Sequence, residues 1–94
     1  DAPVSRSEQR RAAADRRAEL APLKKTVQAA EKALEKITAE IAAIDTLLGD
    51  AGLYARDPEK AQKCALERGQ LVKKLAEAED LWLEASEAFA AAAD

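Results

Sequence analysis

The fold is decided by residues 23–48, which read LKKTVQAAEKALEKITAEIAAIDTLL. Eight apolar residues recur in this stretch at alternating steps of four and three, and they are Leu23, Val27, Ala30, Leu34, Ile37, Ile41, Ile44 and Leu48. An apolar period of about 3.5 residues keeps one narrow stripe of a helix facing a partner helix, as in a coiled coil. We therefore predict a long helix that packs against a second helix.

A second apolar stripe follows a break in the first. Gly49 and Gly52 are typical of a helix end, and Asp57 followed by Pro58 is typical of a helix start. The new stripe contains Ala61, Cys64, Arg68, Leu71, Leu75, Ala78, Trp82, Ala85, Phe89 and Ala92. If the chain folds back between the stripes, the facing pairs are Leu48 with Ala61, Ile44 with Cys64, Ile41 with Arg68, Ile37 with Leu71, Leu34 with Leu75, Ala30 with Ala78, Val27 with Trp82, Leu23 with Ala85 and Leu20 with Phe89. This match predicts an all-α fold, an antiparallel two-helix coiled-coil hairpin with its tip at about residues 49–57.

Two residues of the second stripe allow more than one interpretation. Arg68 reaches solvent or a carboxylate such as Glu40 or Asp45, or else it is a polar residue that fixes the register against Ile41. Cys64 is the only cysteine, so no disulfide forms within the chain. We expect a buried thiol that behaves as a small apolar residue, and the alternative is a reactive thiol.

Residues 1–20 are rich in arginine and alanine, and we predict that they form a linker or helical extension before the hairpin domain at residues 21–94. Ser5 or Ser7 is a candidate cap for this helix, and Glu8 completes a capping-box pattern with Ser5. Pro22 lacks an N–H donor, so it either kinks or interrupts one long helix or begins a new one.

The composition excludes several classes of chemistry. The 94 residues include no histidine and one cysteine, which excludes zinc sites and histidine-based catalysis. No Gly-rich phosphate loop is present. We therefore expect no catalytic activity, no cofactor and no metal. No apolar run approaches the roughly 20 residues that cross a bilayer, and we expect a cytoplasmic location. The chain starts at Asp1 without Met, so we expect it to be part of a longer protein.

Positive charge is concentrated at the N-terminal end. Residues 1–25 contain four acidic and seven basic residues, the latter being Arg6, Arg10, Arg11, Arg16, Arg17, Lys24 and Lys25. In a continuous helix Arg10, Arg17 and Lys24 share one face, which predicts contacts with the phosphates of a nucleic acid. No aromatic residue accompanies this stripe, so we expect salt-sensitive and largely sequence-independent binding. The alternative is a solvated helix whose arginines pair with acids, namely Glu8, Asp15, Glu19 and those near Glu87.

The predicted hairpin tip contains two apolar residues, Leu53 and Tyr54. They either form a local cluster that closes the apolar stripe or present a contact point at the end of the arm. The second interpretation makes both of them candidate contact residues.

Three short stretches are similar to motifs of one family. They are PLKK at residues 22–25, DAGLY at residues 50–54 and EAEDLWLE at residues 77–84. In this order they resemble the C-terminal coiled-coil domain of bacterial ABC-F ATPases of the YheS and Uup kind, in which corresponding stretches open the first helix, form the tip and mark the return helix. Gly52 departs from the helix-forming residue that the family often has there.

The resemblance implies a parent protein with two ATP-binding cassettes and no transmembrane domain, in which this chain is the tail after the second cassette. Members of the family act on the ribosome, and the Uup-type tail is associated with DNA binding. The implied role is a non-catalytic accessory domain that contacts DNA or ribosomal RNA through the basic residues. The competing hypothesis is a structural or protein-interaction arm that packs on the parent ATPase or on a partner protein.

Overall fold

A computed structural model describes residues 5–94, and these residues form three helices, Arg6–Leu48 (α1), Leu53–Arg56 (α2) and Pro58–Ala93 (α3). No strand is present in this part of the chain, so the all-α prediction is confirmed. Because the two long helices pack together, the molecule is a rod of 80 × 17 × 14 Å. Residues 1–4 of the predicted N-terminal segment lie outside the described residues.

The face that α1 buries is the predicted apolar stripe. The buried or half-buried residues of α1 are the eight residues of that stripe together with Leu20, which was predicted to face Phe89. On α3 the predicted stripe is also buried or half-buried, except for Ala92, which is exposed near the end of the helix. Ser86 joins this face without having been predicted. Apolar burial against the opposite helix therefore accounts for the packing of α1 on α3.

Contacts between the two helices follow a consistent order. Near the end of α1, Ile44 packs with Cys64 and Leu71 from the first half of α3. In the first half of α1, Lys24 lines the same cleft as Phe89, which lies near the end of α3. The last turns of α1 thus meet the first turns of α3, and α3 then runs beside earlier parts of α1.

The helix ends use the predicted capping residues. The hydroxyl of Ser5, and not that of Ser7, accepts a hydrogen bond from the Glu8 backbone N–H at 3.2 Å at the start of α1. The Asp57 carboxylate accepts from the Lys60 backbone N–H at 3.1 Å, and Pro58 is the first residue of α3. These bonds satisfy N–H groups that have no partner inside the helix.

Pro22 lies inside α1, which continues without interruption from Arg6 to Leu48. The alternative that a new helix begins at Pro22 is therefore wrong. The ring is exposed, and the half-buried residues Leu20 and Leu23 pack on either side of it. Packing of these two leucines stabilises the helix across a residue that lacks the N–H donor.

The two ambiguous residues of the second stripe have clear environments. Arg68 donates from Nε to Oδ1 of Asp45 at 2.5 Å and from Nη2 to Oδ2 at 3.4 Å, which confirms the prediction of a carboxylate partner. The same hydrogen bond holds the pKa of the Asp45 carboxyl below its usual range. Cys64 is 7% exposed and lies in the cluster with Ile44, which confirms a buried thiol.

Candidate functional site

The predicted basic residues all lie on the N-terminal part of α1, and all of them are exposed: Arg6, Arg10, Arg11, Arg16, Arg17, Lys24 and Lys25. Residues 5–19 contain no buried or half-buried side chain. This part of α1 therefore presents its charges to solvent on every side of the helix.

No ion pair joins these basic residues to an acid in the described part of the chain. Between residues 5 and 94 the ion pairs are Arg56 with Asp50 and Arg68 with Asp45, and neither involves the N-terminal segment. Of the alternative, a solvated helix whose arginines pair with acids, residues 5–94 show the solvated helix but no ion pair at these arginines. Contact of the seven basic residues with an anionic partner stays a prediction.

Three of the basic residues form a row beside the apolar stripe. Arg10, Arg17 and Lys24 are spaced by seven residues, which is about 10.5 Å along a helix and returns the chain to nearly the same face. Arg17 lies about one turn before Leu20, and Lys24 lies about one turn after it. We call Arg10, Arg17 and Lys24 the basic stripe.

The packing of α3 brings an aromatic ring to this stripe. One cleft of about 360 Å³ is lined by Arg17, Leu20, Ala21, Lys24 and Phe89. A second cleft of about 230 Å³ is lined by Lys24, Val27, Gln28, Glu31 and Phe89. Phe89 was predicted to face Leu20, and its position beside the basic residues was not predicted. The sequence contains a signal for this contact, because Arg17 and Lys24 lie about one turn on either side of Leu20, the residue that Phe89 was predicted to face.

The two predicted tip residues have different surroundings. Leu53 is buried, with 4% of its surface exposed, and belongs to α2, which packs on α3. Tyr54 is 55% exposed and lines a cleft of about 390 Å³ with Gln62, Ala65 and Leu66. Contact of the tip with a partner stays a prediction. Tyr54 is the exposed residue that could make it, because Leu53 is buried.

A hydrogen-bonded turn holds the tip in place. The Asp50 carboxylate accepts from the Gly52 backbone N–H at 3.0 Å and from Arg56 Nη2 at 2.6 Å. The bond from Arg56 is the main cause that lowers the pKa of Asp50. Asp50 therefore connects the turn after α1 with Arg56 of α2. This contact was not predicted from the sequence.

An alanine-rich groove runs between the helices in the same half of the rod as Phe89. Its volume is about 490 Å³, and it is lined by Thr26, Ala29, Ala30, Ala33, Ala78, Leu81, Glu84, Ala85 and Ala88. Leu81 is 61% exposed at this groove. The alanine side chains leave room between the helices, and Thr26 and Glu84 are the polar residues of the lining.

Comparison with known proteins identifies the family. Residues 5–87 match the family model described as ABC transporter C-terminal domain. The chain belongs to this family. As an ABC transporter C-terminal domain, it is an accessory domain of an ABC protein, and the resemblance to such a domain is confirmed. No curated protein and no solved structure matches the chain.

The match includes most of the candidate residues of this ABC transporter C-terminal domain. It contains the seven basic residues and both tip residues, and it ends two residues before Phe89. Among residues 5–94 there is no group of three potential metal ligands. In the same range, neither long helix has an apolar segment of the kind that crosses a membrane.

Proposed function

We propose that this ABC transporter C-terminal domain is an antiparallel coiled-coil hairpin from an ABC-F ATPase of the YheS or Uup kind. The motifs at residues 22–25, 50–54 and 77–84 support this subtype, and all three lie within the family match. The order of contacts supports the hairpin, since Asp45 pairs with Arg68 while Lys24 meets Phe89. The domain itself is non-catalytic, and its first partners are the ATPase domains of the same cytoplasmic parent.

The function proposed for the domain is contact with nucleic acid, either DNA or ribosomal RNA. The observation that carries this proposal is the set of seven exposed basic residues on α1, none of which has an ion pair within residues 5–94. Lys and Arg side chains that neutralise phosphates release condensed counterions, and this release favours binding at low salt. Arginine also binds phosphate oxygens through two parallel hydrogen bonds.

The test is a fluorescence-polarisation titration of labelled DNA and structured RNA with two variants that lose the same charge. The first variant changes Arg10, Arg11, Arg16 and Arg17 to Gln, and the control changes Lys32, Lys36, Lys73 and Lys74 to Gln. All eight residues are exposed, so both variants should keep the helical circular-dichroism spectrum of the wild type.

We expect the first variant to lose at least about tenfold in affinity at low salt, because four phosphate contacts are removed at once. The control variant should retain most of the affinity, although its net charge is the same. Equal losses in the two variants would contradict a localised interface, and absence of wild-type binding to DNA and RNA would contradict the function.

A second candidate function is a protein-interaction arm, favoured by the exposed apolar surface at the tip. Tyr54 and Leu66 line one cleft, and Leu66 is 71% exposed. Large exposed apolar residues that lie together are typical of contact surfaces. If a partner protein binds there, Tyr54→Ala should weaken the binding. The affinity should change little with salt, and it should not depend on the basic residues of the N-terminal segment.

A further inference from the structure

Phe89 adds an aromatic surface beside the basic stripe. Phosphate contacts do not require an aromatic residue. We propose that this face of the domain binds single-stranded or looped nucleic acid, with one unpaired base against Phe89 and the adjoining phosphates on Arg17 and Lys24. This inference rests on the proposed function and specifies the form of nucleic acid that the site takes.

The two clefts bring a half-buried aromatic ring next to exposed cations. Phe89 is half-buried and lines both clefts, and Lys24 is the other residue that they share. Leu20 and Ala21 complete the apolar lining of the larger cleft. An aromatic ring beside aliphatic side chains is the kind of surface on which bases stack in proteins that bind single strands.

The charges at these clefts complement a nucleotide. Arg17 and Lys24 both line the larger cleft and are exposed, so a base that enters it brings its own phosphates close to two cations. Glu31 and Gln28 line the smaller cleft. The Glu31 carboxylate repels phosphate but accepts hydrogen bonds from base amino groups, and the Gln28 amide both donates and accepts. The cations therefore suit the backbone, and the polar groups suit the edge of a base.

A regular duplex makes fewer contacts with this face, because it has no unpaired base to place against Phe89. Its bases are stacked inside the helix, and extruding one of them costs a few kcal/mol. The basic stripe would still contact duplex phosphates, but the clefts beside Phe89 would stay empty. An unpaired base fills the clefts without the cost of unstacking, which favours single-stranded or looped segments.

The test compares a labelled single strand of about 12 nucleotides, within the usual range of site sizes, with the blunt duplex of the same sequence. Binding to the 94-residue chain is measured by fluorescence polarisation for the wild type and for Phe89→Leu, Phe89→Tyr and Tyr54→Leu. Leucine keeps apolar packing against Leu20 but removes the aromatic face, and tyrosine keeps that face. Tyr54→Leu removes an aromatic ring from the tip and serves as a matched control.

We expect the wild type to bind the single strand more tightly than the duplex. Phe89→Leu should weaken single-strand binding by about 5- to 150-fold, which is the range that aromatic stacking contributes. Phe89→Tyr and Tyr54→Leu should bind within about threefold of the wild type, and duplex binding should be the same in all four proteins. Circular dichroism at the titration temperature checks that each variant is folded.

Two failures have different meanings. Equal affinity for the single strand and the duplex, with no effect of Phe89→Leu, overturns this inference and leaves the proposed function standing. Absence of wild-type binding to both forms overturns this inference, and the proposed function fails with it when the structured RNA of the earlier titration is not bound either.

Discussion

Arg68 and Asp45 show how a polar residue is accommodated in an apolar stripe. Arg68 occupies a stripe position of α3 and is half-buried, yet its guanidinium reaches the exposed Asp45 on α1. Long arginine side chains keep the stem on apolar surface and the charged head at the edge. The pair joins the two long helices near the tip. Exposed pairs of this kind contribute little to stability on average.

The first prediction concerns the response of this pair to acid. Since the folded-state pKa of Asp45 is lowered, the pair stabilises the fold above the ordinary pKa of an aspartate, about 3.9, and this contribution is lost as the pH falls through the folded-state pKa. We expect the Tm of the wild type to fall more between about pH 6 and pH 2.5 than the Tm of Asp45→Asn. The measurement is thermal unfolding followed by circular dichroism.

The comparison with Asp45→Asn isolates one carboxylate. Asp50, whose pKa is also lowered, remains in both proteins and contributes equally to their acid sensitivity. Identical pH dependence in the two proteins would contradict a stabilising role for the pair between Asp45 and Arg68.

The surroundings of Leu53, Tyr54 and Phe89 could not be predicted from the sequence pattern. The pattern placed Leu53 and Tyr54 together at the tip, but it could not decide which one is buried, because α2 is too short to have a readable period. Phe89 was assigned to the correct stripe, but its neighbours on the other helix depend on how the side chains pack beside the stripe. Such contacts follow from three-dimensional packing and are not encoded by spacing alone.

At the scale of the element, α3 contains a glycine in its interior that the fold does not require. Gly69 is exposed, and a Cβ atom added to it would meet nothing within 4 Å. Glycine in a helix interior is less favourable than alanine because its backbone loses more conformational freedom on folding. By contrast, a Cβ at Gly49 would approach the Asp45 carbonyl oxygen at 3.1 Å.

The second prediction is that Gly69→Ala stabilises the domain. We expect a gain of about 1 kcal/mol in the free energy of unfolding, which corresponds to a rise of about 4–8 °C in Tm for a domain of this size. The check is thermal unfolding by circular dichroism. Gly49→Ala is the matched control and should give a smaller gain or a loss, since the backbone must shift. A lower Tm for Gly69→Ala would show that the glycine is needed for a contact absent from this structure.

The helix boundaries were predictable from the sequence, and the exception is the continuation of α1 through Pro22. The boundaries at Gly49, Asp57 and Pro58 follow from local chemistry that the sequence displays directly. Pro22 left two outcomes open, because its missing donor disfavours an unbroken helix while its fixed φ suits one. In the structure α1 continues through Pro22, whose ring is exposed, while Leu20 and Leu23 are half-buried on the face that α3 covers. Local preference is weaker than such tertiary packing.

At the scale of the whole molecule, the charges are divided along the chain. Residues 1–25 contain seven basic and four acidic residues, whereas residues 75–94 contain six acidic residues and no basic one. In the rod, the end of α3 lies beside the basic part of α1, as the shared clefts of Phe89 show. The apolar period predicted which faces of the two helices meet. The acidic residues at the end of α3 repel phosphate, so the proposed phosphate contacts lie on α1, and α3 contributes the uncharged Phe89.

The basic stripe is proposed to neutralise phosphates, and such binding weakens as the salt concentration rises. The logarithm of the binding constant should fall linearly with the logarithm of the salt concentration, with a slope of about −0.7 per phosphate for a single strand or about −0.9 for duplex DNA. We predict that Arg17→Gln reduces the magnitude of this slope by about one such increment, and that Lys73→Gln, which removes an exposed charge from α3, leaves it unchanged. A slope near zero in the wild type, or the same slope in Arg17→Gln, would contradict the account.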